Sequence, residues 1–235
     1  RLQPKIIELK DRFKDDKNSH FISIGKFGKI LDLIKSKKCK KVIFAGNIIK
    51  PKISKLKLDL KGIYYIPRII KASKLGDAAI LKELIKILSE NKIKVIKLNT
   101  YNQDLTLKKG CHTKTKPTNA DLFLIKKGIQ ILNKSNAFNH VQALVINSAK
   151  IVSLEKRKGT KHMLKNIKKK NSIKNLLIKM PKSKQDLRVD LPTIGLDTLK
   201  DCKKANIKGI VMKANQNIVL DKLDSLKYAN KNNIF

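Results

Sequence analysis

Short apolar segments with the character of β-strands alternate along this chain with longer segments in which apolar residues recur at helical spacing. This alternation is typical of βαβ units and predicts an α/β fold. A polar stretch at 99–119, which holds Gly110 and Pro117, is predicted to be a loop at a domain boundary. We therefore expect two α/β domains, an N-terminal Rossmann-like domain with a parallel sheet over 1–115 and a C-terminal α/β domain over 116–235.

The individual elements follow from the same patterns. The longest stretch of helical periodicity predicts a single helix over 68–91, opened by Pro67. A hairpin is predicted where the apolar segments 141–146 and 150–154 flank a short turn. The remaining predicted helices are 27–34, 120–132, 160–169 and 199–205, and the remaining predicted strands are 21–24, 42–45, 95–98, 176–179 and 209–212.

The chain is strongly basic, with 55 Lys and Arg against 18 Asp and Glu and a formal net charge of +37. Only five of these cations are Arg, whose planar guanidinium suits base and phosphate recognition. The lysines are spread among many Asn and Ile, which favours a solvated basic surface, and we expect no specific nucleic-acid partner. Such a surface is attracted to anionic lipid headgroups by about 1 kcal/mol for each well-placed Lys.

The apolar and cysteine patterns argue against two classes of protein. No apolar run approaches the roughly 20 residues that a membrane-spanning helix needs. The three cysteines, Cys39, Cys111 and Cys202, are far apart and form no C-x-x-C pair, so neither a zinc ribbon nor a disulfide framework is indicated. A reducing cytoplasm is the simplest compartment for such a chain.

Three glycine-containing pairs stand where a ligand could come close to the backbone. They are Gly46-Asn47 at the end of a predicted strand, Gly76-Asp77 within a helical pattern, and Gly159-Thr160 before a predicted helix. Each pair also has an ordinary structural explanation: a turn, a break between two helices with an Asp cap, and a threonine cap. The residue pattern leaves both explanations open.

The densest group of functional side chains lies between Lys179 and Gly195. Asp186, Arg188 and Asp190 alternate there, and in an extended segment they would share one face. Two carboxylates beside Arg and Lys are suited to holding Mg²⁺ together with a diphosphate. One carboxylate could bind the metal and the other could orient a water, while Arg188 could neutralise charge at phosphorus. The alternative is a salt-bridged surface loop.

The segment 185–195 resembles the signature of the UDP-2,3-diacylglucosamine pyrophosphatases of lipid A biosynthesis, in the Mg²⁺-dependent form found in many Gram-negative bacteria. Further stretches are similar to this family in the same order, so that the resemblance runs from residue 21 to the end. These stretches are 24–30, 44–47 with Pro51, Gly76-Asp77, Gln142-Ala143 with Val145, and Glu155 followed by Gly159-Thr160 and Met163-Leu164.

The resemblance implies a hydrolase that splits UDP-2,3-diacylglucosamine into UMP and 2,3-diacylglucosamine 1-phosphate, with water attacking the α-phosphorus. It implies Mg²⁺ as cofactor, a site between the two domains and a homodimer, and we expect the protein at the cytoplasmic face of the inner membrane, peripheral to an anionic lipid surface. Asp190 matches the family's essential acidic residue. Matching positions imply catalysis by Asp190 and Arg188, metal binding by Asp190, Asp186 and Glu155, and substrate binding by Gly46, Asn47, Gly76, Asp77, Gln142, Gly159, Thr160, Lys179, Gln185 and Thr193.

The sequence also departs from the family's pattern. Lys161 and Ala78 stand at positions where the family commonly has Asp. The family usually begins with a strand and a Gly-rich turn, and we expect this sequence to be truncated before that point. These departures keep open a catalytically impaired module that binds a nucleotide sugar or lipid. A Lys-rich nucleic-acid binder is the less favoured alternative.

Overall fold

The structure of the chain is a computed structural model. It describes residues 6–8, 19–46, 52–136, 141–148, 150–156, 158–167, 173–182 and 185–235. The chain forms two compact units, Arg1–Leu98 and Asn99–Phe235, called here the N-terminal and C-terminal units. Both combine helices with strands, so the predicted two-part α/β architecture is confirmed. Within the described ranges, no helix is both long and apolar enough to span a membrane.

The N-terminal unit contains two parallel strand pairs and three α-helices among its described residues. Parallel pairing is what an alternation of strands and helices predicts. The first pair is β1 (Ile6–Glu8) with β2 (Ser19–Phe21), and the second is β3 (Lys41–Val42) with β4 (Lys94–Val95). The helices are α1 (Phe27–Ser36), α2 (Leu60–Lys74) and α3 (Asp77–Glu90).

The prediction of one helix over 68–91 is wrong, because two helices occupy this part of the chain. α2 begins at Leu60, and Pro67 lies inside it instead of opening it. The break falls at Gly76, whose φ of 106° is a conformation that an L side chain rarely adopts. Asp77 follows in the first turn of α3, where a carboxylate is favoured by the helix dipole.

Asp59 caps two helices at once. Its carboxylate accepts the backbone N–H of Gly62 in α2 at 2.7 Å and those of Gly28 and Lys29 in α1 at 3.1 Å each. Burial acts to raise the pKa of Asp59, but these three N–H donors prevail and lower it. The helices also approach closely, since a Cβ on Gly62 would lie 2.5 Å from the carbonyl oxygen of Gly25.

The C-terminal unit is built on a four-stranded sheet in the order β6-β5-β7-β9. Strand β5 (Ala143–Asn147) runs antiparallel to β6 (Lys150–Leu154) and to β7 (Asn175–Lys179), while β7 is parallel to β9 (Ile207–Met212). β8 (Thr193–Ile194) pairs in parallel with β10 (Ile218–Val219). The helices are α4 (Asn119–Asn136), α5 (Gly159–Lys165), α6 (Leu196–Lys204) and α7 (Lys222–Lys231).

Both faces of this sheet are covered, which explains why β5 and β7 read as nearly continuous apolar runs. On one face, Leu132 of α4 joins a cluster with Leu144, Ile146, Leu176, Ile178 and Met180. On the other face, α5 and α6 supply Met163, Leu164 and Cys202, which pack against Ala143, Val145 and Leu177. Burial raises the pKa of the Cys202 thiol to about 12. Cys39 and Cys111, one in each unit, are free thiols and half-buried.

The two units meet in sequence between Leu98 and Asn99, whereas the sequence places the domain boundary at residue 115. Side-chain amides of the C-terminal unit hold the intervening segment. The buried Asn217 accepts the backbone N–H of Leu107 at 2.9 Å, and Asn230 accepts that of Lys114 at 2.7 Å. The polar composition of 99–115 resembles a linker, but its backbone is hydrogen-bonded to residues far away in the sequence.

We predict that Asp59→Ala destabilises the N-terminal unit by about 2 kcal/mol, because one lost helix cap typically costs about 1 kcal/mol and this carboxylate caps two helices. Urea unfolding and hydrogen exchange of the α1 and α2 amides measure the loss. Since the pKa of Asp59 is lowered on folding, the difference from wild type is largest at neutral pH and shrinks as the pH falls through that pKa.

Asp32→Ala is the matched control, because it removes an exposed carboxylate that pairs with Lys61 of α2 at 2.9 Å. Such a surface ion pair contributes roughly 0.2–1 kcal/mol. Equal losses from the two substitutions would contradict the double cap.

Candidate active site

Strand directions bring three polar side chains to one edge of the four-stranded sheet. Gln142 precedes β5, Glu155 follows β6, and Lys179 is the last residue of β7. Because β5 is antiparallel to both neighbours, its beginning lies beside their ends. Ala143 at the start of β5 pairs with Lys179, and its carbonyl accepts the backbone N–H of Glu155 at 2.9 Å. Sheet register therefore sets the positions of these side chains.

A chain of hydrogen bonds runs through three side chains at this edge. The Lys179 ammonium donates to the Thr160 hydroxyl at 2.6 Å, and that hydroxyl donates to Oε1 of Glu155 at 2.6 Å. Oε2 of Glu155 accepts the backbone N–H of Gln142 at 3.1 Å. Lys179 is 7% exposed and Glu155 is 8% exposed. Thr160 thus links a buried cation to a buried anion, and each offsets part of the cost of burying the other.

Opposing influences act on the pKa of Lys179. Burial lowers the pKa of its ammonium, because water no longer stabilises the charged form. The carboxylates of Glu155 and Asp190 act in the other direction, and Lys182 adds to the lowering. Lys179 is consequently a buried cation that feels the charge of Asp190, and one of its three N–H donors is used by Thr160.

Hydrogen bonds of two side-chain amides, those of Gln142 and Gln185, connect the loop after β7 to the beginning of β5. Nε2 of Gln142 donates to Oε1 of Gln185 at 3.1 Å, and the backbone N–H of Lys182 donates to the same oxygen at 2.8 Å. Nε2 of Gln185 is buried and donates to no atom of the described part of the chain. Gln142 and Gln185, each predicted separately to bind substrate, are therefore hydrogen-bonded to each other.

The expectation that Asp186, Arg188 and Asp190 share one face of an extended segment is wrong. Residues 187–189 form a turn in which the Asp186 carbonyl accepts the backbone N–H groups of Val189 and Asp190, both at 3.1 Å. The Asp186 carboxylate accepts the Arg188 backbone N–H at 3.0 Å and pairs with its guanidinium at 2.7 Å. A short Asp side chain that bonds two residues ahead stabilises such a turn.

The predicted metal ligands differ in their existing partners. Glu155 accepts hydrogen bonds on both oxygens, and Asp186 is paired with Arg188. Asp190 is half-buried, and its carboxylate has no hydrogen bond or ion pair within the described ranges. In the same part of the chain, no group of three His, Cys, Asp or Glu side chains is arranged to hold a metal ion. Asp190 is thus the one of the three with the most unused acceptor capacity within the described ranges.

Thr193 of β8 is exposed, and its hydroxyl donates to the carbonyl of Leu191 at 2.9 Å. Pro192 beside it is buried, two positions after the half-buried Asp190. The hydroxyl can still accept a hydrogen bond from a ligand.

The other predicted substrate-binding residues lie at glycine pairs. Gly46, Gly76 and Gly159 share a positive φ, of 86°, 106° and 80° respectively, which accounts for glycine by backbone conformation alone. Gly46 and Gly76 with Asp77 belong to the N-terminal unit, whereas Gly159 begins α5 beside Thr160. Asn47 lies outside the described residues. A role for these pairs in binding substrate remains a prediction.

Sequence reasoning missed one polar cavity of the C-terminal unit. It has a volume of about 260 Å³ and is lined by Asn99, Gln103, Thr106, Lys108 and Asn215. These residues belong to no motif, and four of them lie in the segment read from its polarity as a linker. The long-range hydrogen bonds that shape this cavity leave no signal in local sequence.

Two family models match the chain, one for each unit. The LpxI N-terminal domain matches residues 4–105, and the LpxI C-terminal domain matches residues 108–235. The chain belongs to the LpxI family. A relative from Caulobacter vibrioides, named UDP-2,3-diacylglucosamine pyrophosphatase LpxI, is 28% identical over 209 residues, which cover 86% of this chain and 75% of the relative. The resemblance inferred from sequence motifs is therefore confirmed at the level of the family.

Within the LpxI family domains, the buried hydrogen-bond chain belongs wholly to the C-terminal one. Glu155, Thr160 and Lys179 all fall in the match to the LpxI C-terminal domain, as does Asp190. The carbonyl and carboxylate oxygens that Mg²⁺ prefers are present there, and Mg²⁺ commonly uses one or two protein carboxylates together with substrate phosphates. Asp190 fits that pattern.

We predict that Thr160→Val destabilises the protein by about 2 kcal/mol, because it leaves the buried Lys179 and Glu155 without their shared partner. Urea unfolding of the full chain measures the loss. Thr160→Ser is the matched control, since it keeps the hydroxyl and is expected to stay close to wild type. A valine variant as stable as the serine variant would show that the hydroxyl does not link the two charges.

Proposed function

We propose that this chain hydrolyses the diphosphate of UDP-2,3-diacylglucosamine to UMP and 2,3-diacylglucosamine 1-phosphate, with water attacking the α-phosphorus. As a member of the LpxI family it is an enzyme, a hydrolase of phosphoric anhydrides. The substrate is the one that the Caulobacter relative's name states. The observation that carries the proposal is the buried Lys179 ammonium at the edge of the sheet, whose pKa the Asp190 carboxylate acts to raise.

Lys179 would bind the diphosphate. A fixed ammonium in a water-poor site attracts a phosphate oxygen more strongly than an exposed lysine does, and it needs little reorganisation as charge builds at phosphorus. Thr160 and Glu155 hold this ammonium in place, which leaves two of its N–H donors for the substrate. In this proposal Thr160 acts through Lys179 and is a positioning residue.

Asp190 would hold Mg²⁺ together with phosphate oxygens of the substrate, as the resemblance implies. When bound, Mg²⁺ would neutralise charge on the diphosphate. Arg188, oriented by Asp186, supplies a second cation close in sequence, and its guanidinium is exposed enough to reach a ligand. The Gln185 amide, which donates to no atom of the described residues, and the Thr193 hydroxyl are suited to polar groups of the nucleotide or sugar.

The remaining proposals concern the setting of the enzyme. We infer a homodimer that works at the cytoplasmic face of the inner membrane, peripheral to an anionic lipid surface. The net charge of +37 supports attraction to anionic lipid. The metal roles of Asp186 and Glu155 would require rearrangement of the contacts described above.

A binding module without catalysis is the second candidate, because Lys161 and Ala78 stand where the family commonly has Asp. Lys161 is exposed on α5 and Ala78 is exposed on α3. The two candidates differ in one measurement, since a binding module retains the UDP ligand but releases no UMP in the presence of Mg²⁺.

We predict that Asp190→Ala lowers kcat at least about 100-fold while substrate still binds, because positioned carboxylates in catalysis contribute roughly 10²–10⁴-fold. UMP release from detergent-dispersed substrate, with and without Mg²⁺, measures the rate. In ¹⁸O-labelled water the label is expected in UMP.

Asp197→Ala is the control for this experiment, because Asp197 is an Asp of the same domain whose side chain is 90% exposed on α6. It is expected to keep wild-type activity. Full activity of Asp190→Ala, or label confined to the sugar phosphate, would refute the proposed chemistry.

We predict an alkaline loss of activity that belongs to Lys179. Since burial lowers the pKa of this ammonium, it loses its proton, and with it the attraction for the diphosphate, at a lower pH than an ordinary lysine. A pH profile of kcat/KM measures the limb. In Lys179→Arg, whose guanidinium does not titrate in this range, the limb should move to higher pH, whatever the absolute rate. An unmoved limb would assign the titration to another group.

A further inference from the structure

The outward side of α2 carries a run of exposed apolar side chains. Leu60 is 86% exposed, Tyr64 is 72% exposed, and Leu75 at the C-terminal cap is 77% exposed. Six apolar residues of this helix and its cap are exposed, namely Leu60, Ile63, Tyr64, Pro67, Ile70 and Leu75. We call these six residues the apolar face of α2.

Helical geometry places these residues on one side. At 3.6 residues per turn they fall within a single arc, opposite the buried Gly62 and Ala72. The buried side packs against α1 and α3. The fold of the N-terminal unit therefore does not account for the apolar face. A contiguous exposed apolar patch is a mark of an interaction surface.

The charged residues within α2 are all positive. Lys71 and Lys74 are exposed on the same side of the helix, and α2 contains no Asp or Glu. The Arg68 guanidinium belongs to another contact, since it pairs with Glu83 at 2.6 Å and with Glu90 at 2.7 Å on α3. Exposed lysines also precede the helix, at Lys55 and Lys57.

We propose that the apolar face of α2 docks on an anionic lipid surface. An amphipathic helix with apolar and aromatic side chains beside lysines lies in the plane of a membrane interface, with the apolar groups among the acyl chains and the ammonium groups at the phosphates. The inference deepens the proposed function and rests on it for its purpose, because a diacylated substrate is held in such a surface. Binding itself is measured without any turnover.

Charge complementarity favours lipid over a second copy of the chain. In a two-fold dimer built on this helix, the same patch would meet itself. Both copies would then bring Lys71 and Lys74 into one interface, where α2 offers no Asp or Glu to pair with them, and like charges brought together repel. An anionic leaflet meets the same lysines with opposite charge.

Vesicle co-sedimentation of the full chain tests the proposal. The vesicles are phosphatidylglycerol mixed with phosphatidylcholine, and phosphatidylcholine alone. Leu60→Ser with Tyr64→Ser is expected to weaken binding to the anionic vesicles about tenfold or more, because two largely exposed side chains lose their burial in lipid. The matched control is Leu122→Ser with Phe123→Ser on α4, where two exposed apolar residues are replaced in the other unit.

A second pair of variants separates this surface from the general basic charge. Lys71→Glu with Lys74→Glu is compared with Lys203→Glu with Lys204→Glu, because both pairs lie in or next to the last turn of a helix and are exposed. The change in net charge is identical in the two double variants. If α2 contacts the lipid, the α2 variant should therefore bind the anionic vesicles far more weakly than the α6 variant. The binding should also persist partly at high salt, where purely electrostatic attraction is screened.

Three outcomes would overturn the proposal. Equal losses from test and control pairs would show that binding comes from net charge alone. Equal binding to both kinds of vesicle would exclude the anionic surface. Unchanged lipid binding together with a shift from dimer to monomer in Leu60→Ser, Tyr64→Ser would assign the face to a second copy. UMP release from detergent-dispersed substrate is expected to stay unchanged in these variants, so failure of the docking surface and failure of the hydrolase are distinguishable.

Discussion

The burial of one positive charge constrains much of the C-terminal unit. Lys179 ends a strand that is covered on both faces, and the residue is only 7% exposed. A charge in such a place requires partners, and the Thr160 hydroxyl with the Glu155 carboxylate supplies them. The glycine turn at Gly159, the start of α5 and the end of β6 must all keep their positions for this arrangement to exist. Stability and the proposed chemistry therefore depend on the same few atoms.

In the N-terminal unit a single carboxylate binds polar backbone groups of two helices. Asp59 satisfies backbone donors at the ends of α1 and α2, so that it fixes two helices with one side chain. In the C-terminal unit a similar role at α4 belongs to Thr118 and Asp121, whose side chains each accept the other's backbone N–H. At α1, α2 and α4 a short polar side chain thus binds the backbone N–H groups where the helix begins, whereas α3 and α6 each begin after a glycine.

The elements of the fold were predictable from sequence wherever the local pattern of apolar residues determines the secondary structure. The helix at 27–34, the hairpin of β5 and β6, and the strands β7 and β9 follow from periodicity, and the structure confirms them. At Gly76 the sequence left a helix break open as one explanation, but helical periodicity continues across it and could not decide between one helix and two. Alternation of polar residues predicted an extended segment at 186–190. A turn forms at 187–189 instead, because the Asp186 carboxylate accepts the backbone N–H of Arg188.

The candidate site was only partly predictable for a related reason. Family motifs named Lys179, Thr160 and Glu155 separately, two for substrate and one for metal, and the structure joins them in one chain. Their association depends on the register of β5 against β7, a long-range property that a single sequence does not encode locally. The spacing Thr118-x-x-Asp121 is the sequence pattern of a helix N-terminus, so the capping pair at α4 could have been found from the sequence.

The cysteines give the native chain a practical property. Cys202 is fully buried and its raised pKa keeps the thiol protonated, so alkylating reagents should not react with it. The remaining thiols, Cys39 and Cys111, are divided between the two units. Dyes or spin labels can therefore be attached at one position in each unit without any engineered cysteine, and the distance between the two probes can be measured directly.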